Sequence, residues 1–216
     1  MYKNILFDLD GTLTDPGIGI TNSVAYALKA FGIECGDRRE LYRFIGPPLH
    51  DSFMEYYGMD KAKAMKAVEK YREYFRTKGI YENEVYPGIR ELLDNLKTTG
   101  KRLILATSKP EEFANIILEH FELAGYFDFT AGATMDGLRS KKGDVIAYAL
   151  KKSDIDALSE TVMIGDKKQD IIGAQQNGID SIGVLYGYGD INELTTAGAT
   201  YIAEDAVNVL QLIDNA

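Results

Sequence analysis

Four aspartates and a Thr-Ser-Lys triplet stand where chemistry is usually placed, directly after short apolar runs. Asp8 and Asp10 follow Ile5-Leu6-Phe7, Thr107-Ser108-Lys109 follows Leu103-Ile104-Leu105-Ala106, and Asp166 and Asp170 follow Val162-Met163-Ile164. Each run reads as a buried strand entering a turn. In an open sheet of parallel strands, ligands sit beyond the carboxyl ends, so these distant residues meet at one edge. An isolated aspartate after a strand is ordinarily a turn former or helix cap. Three polar strand ends on one edge describe a pocket instead.

Several carboxylates in one pocket repel each other and raise each other's pKa unless a cation is present. A small set of hard oxygen ligands suits Mg²⁺, which keeps several waters and takes its remaining ligands from a substrate phosphate. A carboxylate can also attack phosphorus to form an aspartyl-phosphate. Asp10, two residues beyond Asp8, is close enough to protonate a leaving oxygen and later to deprotonate a water.

Acidic residues outnumber basic ones, 33 to 24, for a net charge of −9 over 216 residues. That excludes electrostatic binding to a nucleic acid polymer or an anionic membrane, where a basic surface supplies most of the affinity. A small phosphorylated metabolite remains open, because a bound metal reverses the local sign. The single cysteine, Cys35, cannot form an internal disulfide. The start meets acidic residues after three apolar ones, too few for a signal-peptide core, and no apolar run approaches the ~18 residues of a membrane helix. The expectation is a cytoplasmic protein, a monomer or weak homodimer.

The elements that position these residues alternate. Strands are expected at Ile5 to Phe7, Arg102 to Ala106, Phe127 to Ala131, Val162 to Ile164, Ser181 to Val184 and Tyr201-Ile202. Helices are expected at Gly88 to Lys97, Glu111 to Phe121, Asp144 to Lys152, after Asp166 as far as Asn177, and Val207 to Ile213. Such alternation means a parallel sheet with right-handed crossovers. Residues from about 18 to 80 instead read as helical throughout, with stops at Gly32, Gly58 and Gly79 and a break at Pro47-Pro48. The expected fold is therefore α/β, a Rossmann-like parallel sheet with helices on both faces, over residues 1–16 and 83–216. An all-helical domain, residues 17–82, is inserted after the first strand.

Asp8-Leu9-Asp10-Gly11-Thr12-Leu13 resembles the first motif of the haloacid dehalogenase-like superfamily of phosphotransferases. Thr107 resembles its second, a hydroxyl at a strand end, and Gly165-Asp166-Lys167-Lys168-Gln169-Asp170 its fourth, Gly-Asp-x-x-x-Asp. The run Gly178 to Gly189 is similar to phosphoglycolate phosphatase-like members, and the helical insert to their small cap domain. The resemblance implies Asp8 as nucleophile and Asp10 as general acid and base. It implies Mg²⁺ on Asp8, the backbone carbonyl of Asp10, Asp166 and Asp170, the last directly or through water. Thr107 and the Ser108 amide would hold phosphate oxygens, with the helix starting near Pro110 pointing its amino end at them. A third-motif lysine would quench repulsion between Asp8 and phosphate. Lys141 and Lys142 both precede Gly143-Asp144-Val145-Ile146, without the common Lys-Pro-x-Pro-Asp form, and Lys142 is the choice of the two.

Gly46-Pro47-Pro48-Leu49 resembles the substrate-facing loop of such caps, which makes Gly46 and Pro47 candidate substrate-binding residues; an ordinary helix breaker is the alternative. His50, His120 and Cys35 have no neighbouring partner in the sequence and read as surface or packing residues. The implied activity is Mg²⁺-dependent hydrolysis of a small phosphate monoester, phosphoglycolate first. Nucleoside monophosphates, pyrophosphate, a β-phosphoglucomutase-like transfer and a non-catalytic phosphate-binding role are the alternatives. Asp10 favours full hydrolysis, since transport ATPases of the superfamily carry threonine there.

Overall fold

The computed structural model describes residues 1–215. The chain divides into two compact units, one formed by Met1–Thr14 with Val85–Ala216 and the other by Asp15–Glu84. In the first unit, β1 (Asn4–Phe7), β4 (Arg102–Pro110), β5 (Phe129–Ala133), β6 (Thr161–Gly165), β7 (Asp180–Val184) and β8 (Tyr201–Ala203) form one parallel sheet in the order β5-β4-β1-β6-β7-β8. β1 lies between β4 and β6, with Leu6 opposite Ile104 on one side and Met163 on the other. Its four residues are all buried, as expected of a strand covered on both faces.

Leu6, Ile104, Ala106 and Met163 turn one face of the sheet toward Val145, Ile146 and Ala149 of α6 (Lys142–Lys152) and Ala174 of α7 (Lys168–Gln176). Side chains alternate along a strand, so Ile5, Phe7, Leu103 and Leu105 serve the other face, and all four are fully buried. The remaining helices of this unit are α4 (Ile89–Thr98), α5 (Glu111–His120), α8 (Ile191–Thr196) and α9 (Ala206–Asn215).

Differences from the sequence expectation are local, and β4 also runs on to Pro110 past the expected Ala106. β5 begins two residues late because Asp128 is already committed: its N–H donates to Leu103 O (2.8 Å) and its Oδ2 accepts from Leu103 N (2.9 Å). α6 begins at Lys142, before the expected Asp144. α8 was not expected, although Asp190 caps it by accepting from Glu193 N at 2.8 Å, a short helix start legible as Asp-Ile-Asn-Glu.

The second unit is helical but not continuously so. α1 (Gly17–Ala30) is followed by irregular chain and a 3₁₀ helix over Arg38–Phe44 before α2 (Leu49–Tyr57) and α3 (Lys61–Tyr74). Gly58 ends α2 at φ +61°, a conformation that costs glycine little, and Asp60 caps α3 by accepting from Lys63 N at 2.8 Å. Phe44 anchors this end of the unit edge-on to Phe53, with ring centroids 5.0 Å apart. β2 (Thr14–Asp15) and β3 (Glu84–Val85), where the chain passes between units, pair with each other.

Candidate active site

Asp8 is the first residue beyond β1, held there by its N–H donating to Ile164 O at 2.9 Å. Its Oδ1 accepts from Leu9 N at 2.7 Å, so the carboxylate is oriented by its own turn. That turn closes tightly: Gly11 N donates to Thr14 O, and Leu13 N and Thr14 N both donate to Leu9 O. Gly11 sits at φ +82°, and a Cβ there would overlap the Asp166 carboxylate. Glycine is required twice over, by conformation and by space.

Lys142 Nζ lies 2.8 Å from Asp8 Oδ1 and 2.8 Å from Asp170 Oδ1, and donates to Ala106 O at 3.0 Å. The contact to Asp170 is a fully buried ion pair. Burial pulls the lysine's pKa down, but the Asp170 and Asp8 carboxylates outweigh it and hold the ammonium charged. Lys141 is exposed, at the N-cap of α6.

Asp166 and Asp170 are both buried. Tyr188 N donates to Asp166 Oδ2 at 2.8 Å, while Asp166 Oδ1 is buried without a hydrogen-bond partner among the described residues. The Gly187 and Gly189 positions are as crowded as Gly11: a Cβ on either would run into Asp166. Tyr186 completes this wall by donating from its hydroxyl to Thr12 O at 3.1 Å. Asp170 Oδ2 accepts from Lys167 N at 3.0 Å, so Asp170 caps α7 with one oxygen and meets Lys142 with the other. Burial, then the neighbouring carboxylates Asp170 and Asp8, pushes the Asp166 pKa well up. Burial pushes Asp170 up to about 6 against the pull of Lys142.

One oxygen each from Asp8, Asp166 and Asp170 lie within 4.8 Å of one another, a set that could hold a divalent cation. The unpartnered Asp166 Oδ1 and the all-oxygen donor set fit a hard ion such as Mg²⁺. The Asp10 side chain is not in that set. Its Oδ2 pairs with Lys109 Nζ at 2.7 Å, and its Oδ1 is buried without a hydrogen-bond partner among the described residues. Burial raises the Asp10 pKa and Lys109 opposes the rise.

Thr107 lies in β4 just past Ala106, where the register with β5 shifts, rather than beyond the strand as the sequence suggested. It is buried and accepts from Lys109 N at 3.2 Å, which leaves its hydroxyl proton to give elsewhere. Ser108 beside it is half-buried. Gly46, at φ +101°, and Pro47 are half-buried in the helical unit, between the 3₁₀ helix and α2. Lys109 stands in the Thr-Ser-Lys triplet noted from the sequence, but it had no role of its own there. Its signal was weak: a lysine at a strand end reads as a solvated charge unless the carboxylate across from it is known.

This arrangement brings together a buried carboxylate beside a lysine, a second carboxylate paired through one oxygen, and three carboxylates close enough to hold a cation. Comparison with known proteins points to the same chemistry. The model of the haloacid dehalogenase-like hydrolases matches residues 5–184. A 5'-nucleotidase of Pseudomonas aeruginosa is 45% identical over 99% of this chain and 96% of its own. A phosphoglycolate phosphatase of Vibrio parahaemolyticus is 28% identical over 98% of this chain and 96% of its own. A crystal structure described as a predicted phosphatase from Clostridium acetobutylicum superposes with a TM-score of 0.98 at 49% identity, covering both chains completely. With Asp8, Lys142 and the Asp166–Asp170 pair gathered at one sheet edge, the chain belongs to the haloacid dehalogenase-like hydrolase family.

Proposed function

We infer that this haloacid dehalogenase-like phosphatase hydrolyses a small organic phosphate monoester through a phosphate carried on Asp8, with Mg²⁺ held by Asp8, Asp166 and Asp170. The observation that carries the reading is the carboxylate cluster itself, four aspartates against Lys109 and Lys142, with Asp10 Oδ1 and Asp166 Oδ1 buried and lacking a hydrogen-bond partner among the described residues. Buried polar atoms nearly always find a partner in protein, water or a bound ion, so open oxygens gathered at one place mark room for a ligand. Bound Mg²⁺ would neutralise carboxylate charge and polarise phosphoryl oxygens.

Leu9 N and Lys142 both hold Asp8 Oδ1, which leaves Oδ2 to attack phosphorus. A bond forms from Asp8 to phosphorus as the ester P–O bond breaks. Asp10, protonated, gives its proton to the leaving oxygen, and the alcohol departs. The Asp10 carboxylate then takes a proton from water as the water oxygen attacks phosphorus. The Asp8–phosphorus bond breaks and inorganic phosphate leaves. Burial of Asp10 favours the protonated form that the first step needs. Throughout, Lys142 offsets charge on Asp8, and the Thr107 hydroxyl and Ser108 amide hold phosphoryl oxygens.

A nucleoside 5'-monophosphate is the favoured substrate class over phosphoglycolate, because the 45% identical relative is a 5'-nucleotidase and the phosphoglycolate phosphatase is only 28% identical. Phosphate release from nucleoside 5'-monophosphates, phosphoglycolate and β-glucose 1-phosphate tests this directly, since preference is a ratio of kcat/KM values. The highest kcat/KM is expected on a nucleotide; a highest value on phosphoglycolate would reverse the assignment.

A second prediction concerns the metal. An aspartate whose folded pKa lies above its unfolded value takes up a proton on folding, so the metal-free fold loses stability as pH rises through that range. For Asp170 the range runs from 3.8 to about 6. A cation competes with those protons. Adding Mg²⁺ is therefore expected to raise the melting temperature more above pH 6 than below pH 4, and a shift independent of pH would remove these carboxylates from the metal site.

A further inference from the structure

Lys109 has no part in the steps above, yet its placement is costly. Its side chain is 5% exposed, and a buried ammonium is tolerated only when paired. The partner is Asp10, 12% exposed, at 2.7 Å through Oδ2. The contact ties the ends of neighbouring strands, since Phe7 of β1 lies beside Leu105 of β4. The main chain of the same residue is committed as well, its N–H donating to Thr107 Oγ1 at 3.2 Å. One residue thus fixes one polar atom on each of two groups. What remains on each is what the reaction uses: Oδ1 of Asp10, buried and without a hydrogen-bond partner among the described residues, and the hydroxyl proton of Thr107.

We propose that Lys109 is a positioning residue, gripping Asp10 by Oδ2 so that the transferable proton sits on Oδ1 and faces the ester oxygen. An ungripped carboxyl can rotate about its last torsion and present either oxygen in either protonation state, which lowers the fraction of bound complexes ready to react. The assignment rests on the phosphatase reading given above.

The test exploits leaving groups. An alkoxide needs the proton from Asp10 to depart, whereas p-nitrophenolate leaves without one. The readout is kcat/KM, which reports transfer to Asp8 and not the later hydrolysis. Lys109→Met is expected to lower kcat/KM for an alkyl monophosphate by about 10- to 100-fold, part of the full ~10²–10⁴ of a general acid, and for p-nitrophenyl phosphate by less than about 3-fold. On an Asp10→Asn background, Lys109→Met should cost nothing further with the alkyl ester. An equal fall for both esters would assign Lys109 to phosphate binding or to folding and overturn the proposal. A further fall in the double variant would do the same. If Lys109→Met does not fold, the double variant, which leaves no unpaired charge at this pair, is compared with Asp10→Asn alone on the same criterion. Failure of the unsubstituted protein to cleave either ester is a different result, which removes the phosphatase reading and the role of Lys109 with it.

Discussion

Asp8→Asn is expected to abolish phosphate release, by at least about 10³-fold, and to leave the metal-free protein as stable as before or more so. The activity loss follows from the chemistry: a carboxamide does not attack phosphorus under conditions where a carboxylate does. The stability gain follows from charge. Asp8 stands among Asp10, Asp166 and Asp170, and its charge helps push up the pKa of all three. Asparagine keeps an acceptor for Leu9 N and removes the charge of one of four crowded carboxyl groups. Lys142 retains Asp170 at 2.8 Å and the Ala106 carbonyl. Sites held together for reaction are commonly stabilised when disarmed. Calorimetry in chelator, alongside a phosphate-release assay, checks both parts. Turnover near the original level would remove Asp8 as nucleophile, and a fall in melting temperature would mean that its pair with Lys142 outweighs the repulsion.

Lys142→Met should do the opposite to stability while also damaging turnover. The lysine is the cation shared by Asp8 and Asp170, buried with them, and methionine fills its volume without its charge. Removing one partner of a buried ion pair costs about 3–5 kcal/mol, because the remaining charges are left uncompensated. For a chain of this length that is on the order of 10 °C in melting temperature. Two conditions should restore part of it. Lower pH lets the orphaned carboxylates take protons, and Mg²⁺ supplies the missing positive charge. A variant that melts like the original protein at neutral pH in chelator would show that solvent already compensates the cluster. Lys141→Met, on an exposed residue, provides the control and should leave both measurements near their starting values.

Much of the fold was legible because its signals are local. Apolar runs of three or four residues marked the strands, and a strand covered on both faces needs nothing more than continuous apolar character, as Ile5-Leu6-Phe7 has. The residues beyond those runs marked the sheet edge. What stayed hidden depended on pairs across space. Whether Lys141 or Lys142 turns inward is decided by the residue at which α6 starts, and the pattern suggested a start at Asp144 when the helix begins at Lys142. Lys109 gains meaning only once β4 is placed beside β1. Gly187 and Gly189 carried no reading of their own within the Gly178 to Gly189 run, yet both are obligatory because the Asp166 backbone and side chain occupy the space a Cβ would need. No rule of spacing reports such a clash.

The central position of β1 also dictates an order of events as the chain is made. A strand emerging first ordinarily pairs with the next strand to appear. Here the sheet neighbours of β1 begin at Arg102 and Thr161, with the whole helical unit synthesised in between. The residues Asp15–Glu84 make their contacts mainly among themselves and can become compact while the amino-terminal segment still waits for partners. The strand that carries Asp8 is thus threaded between two later ones, a non-local closure that makes assembly of the sheet the slow step. A chain interrupted before Thr161 holds Asp8 on a strand with one side open, so an incomplete product carries Asp8 without Asp166 and Asp170 beside it.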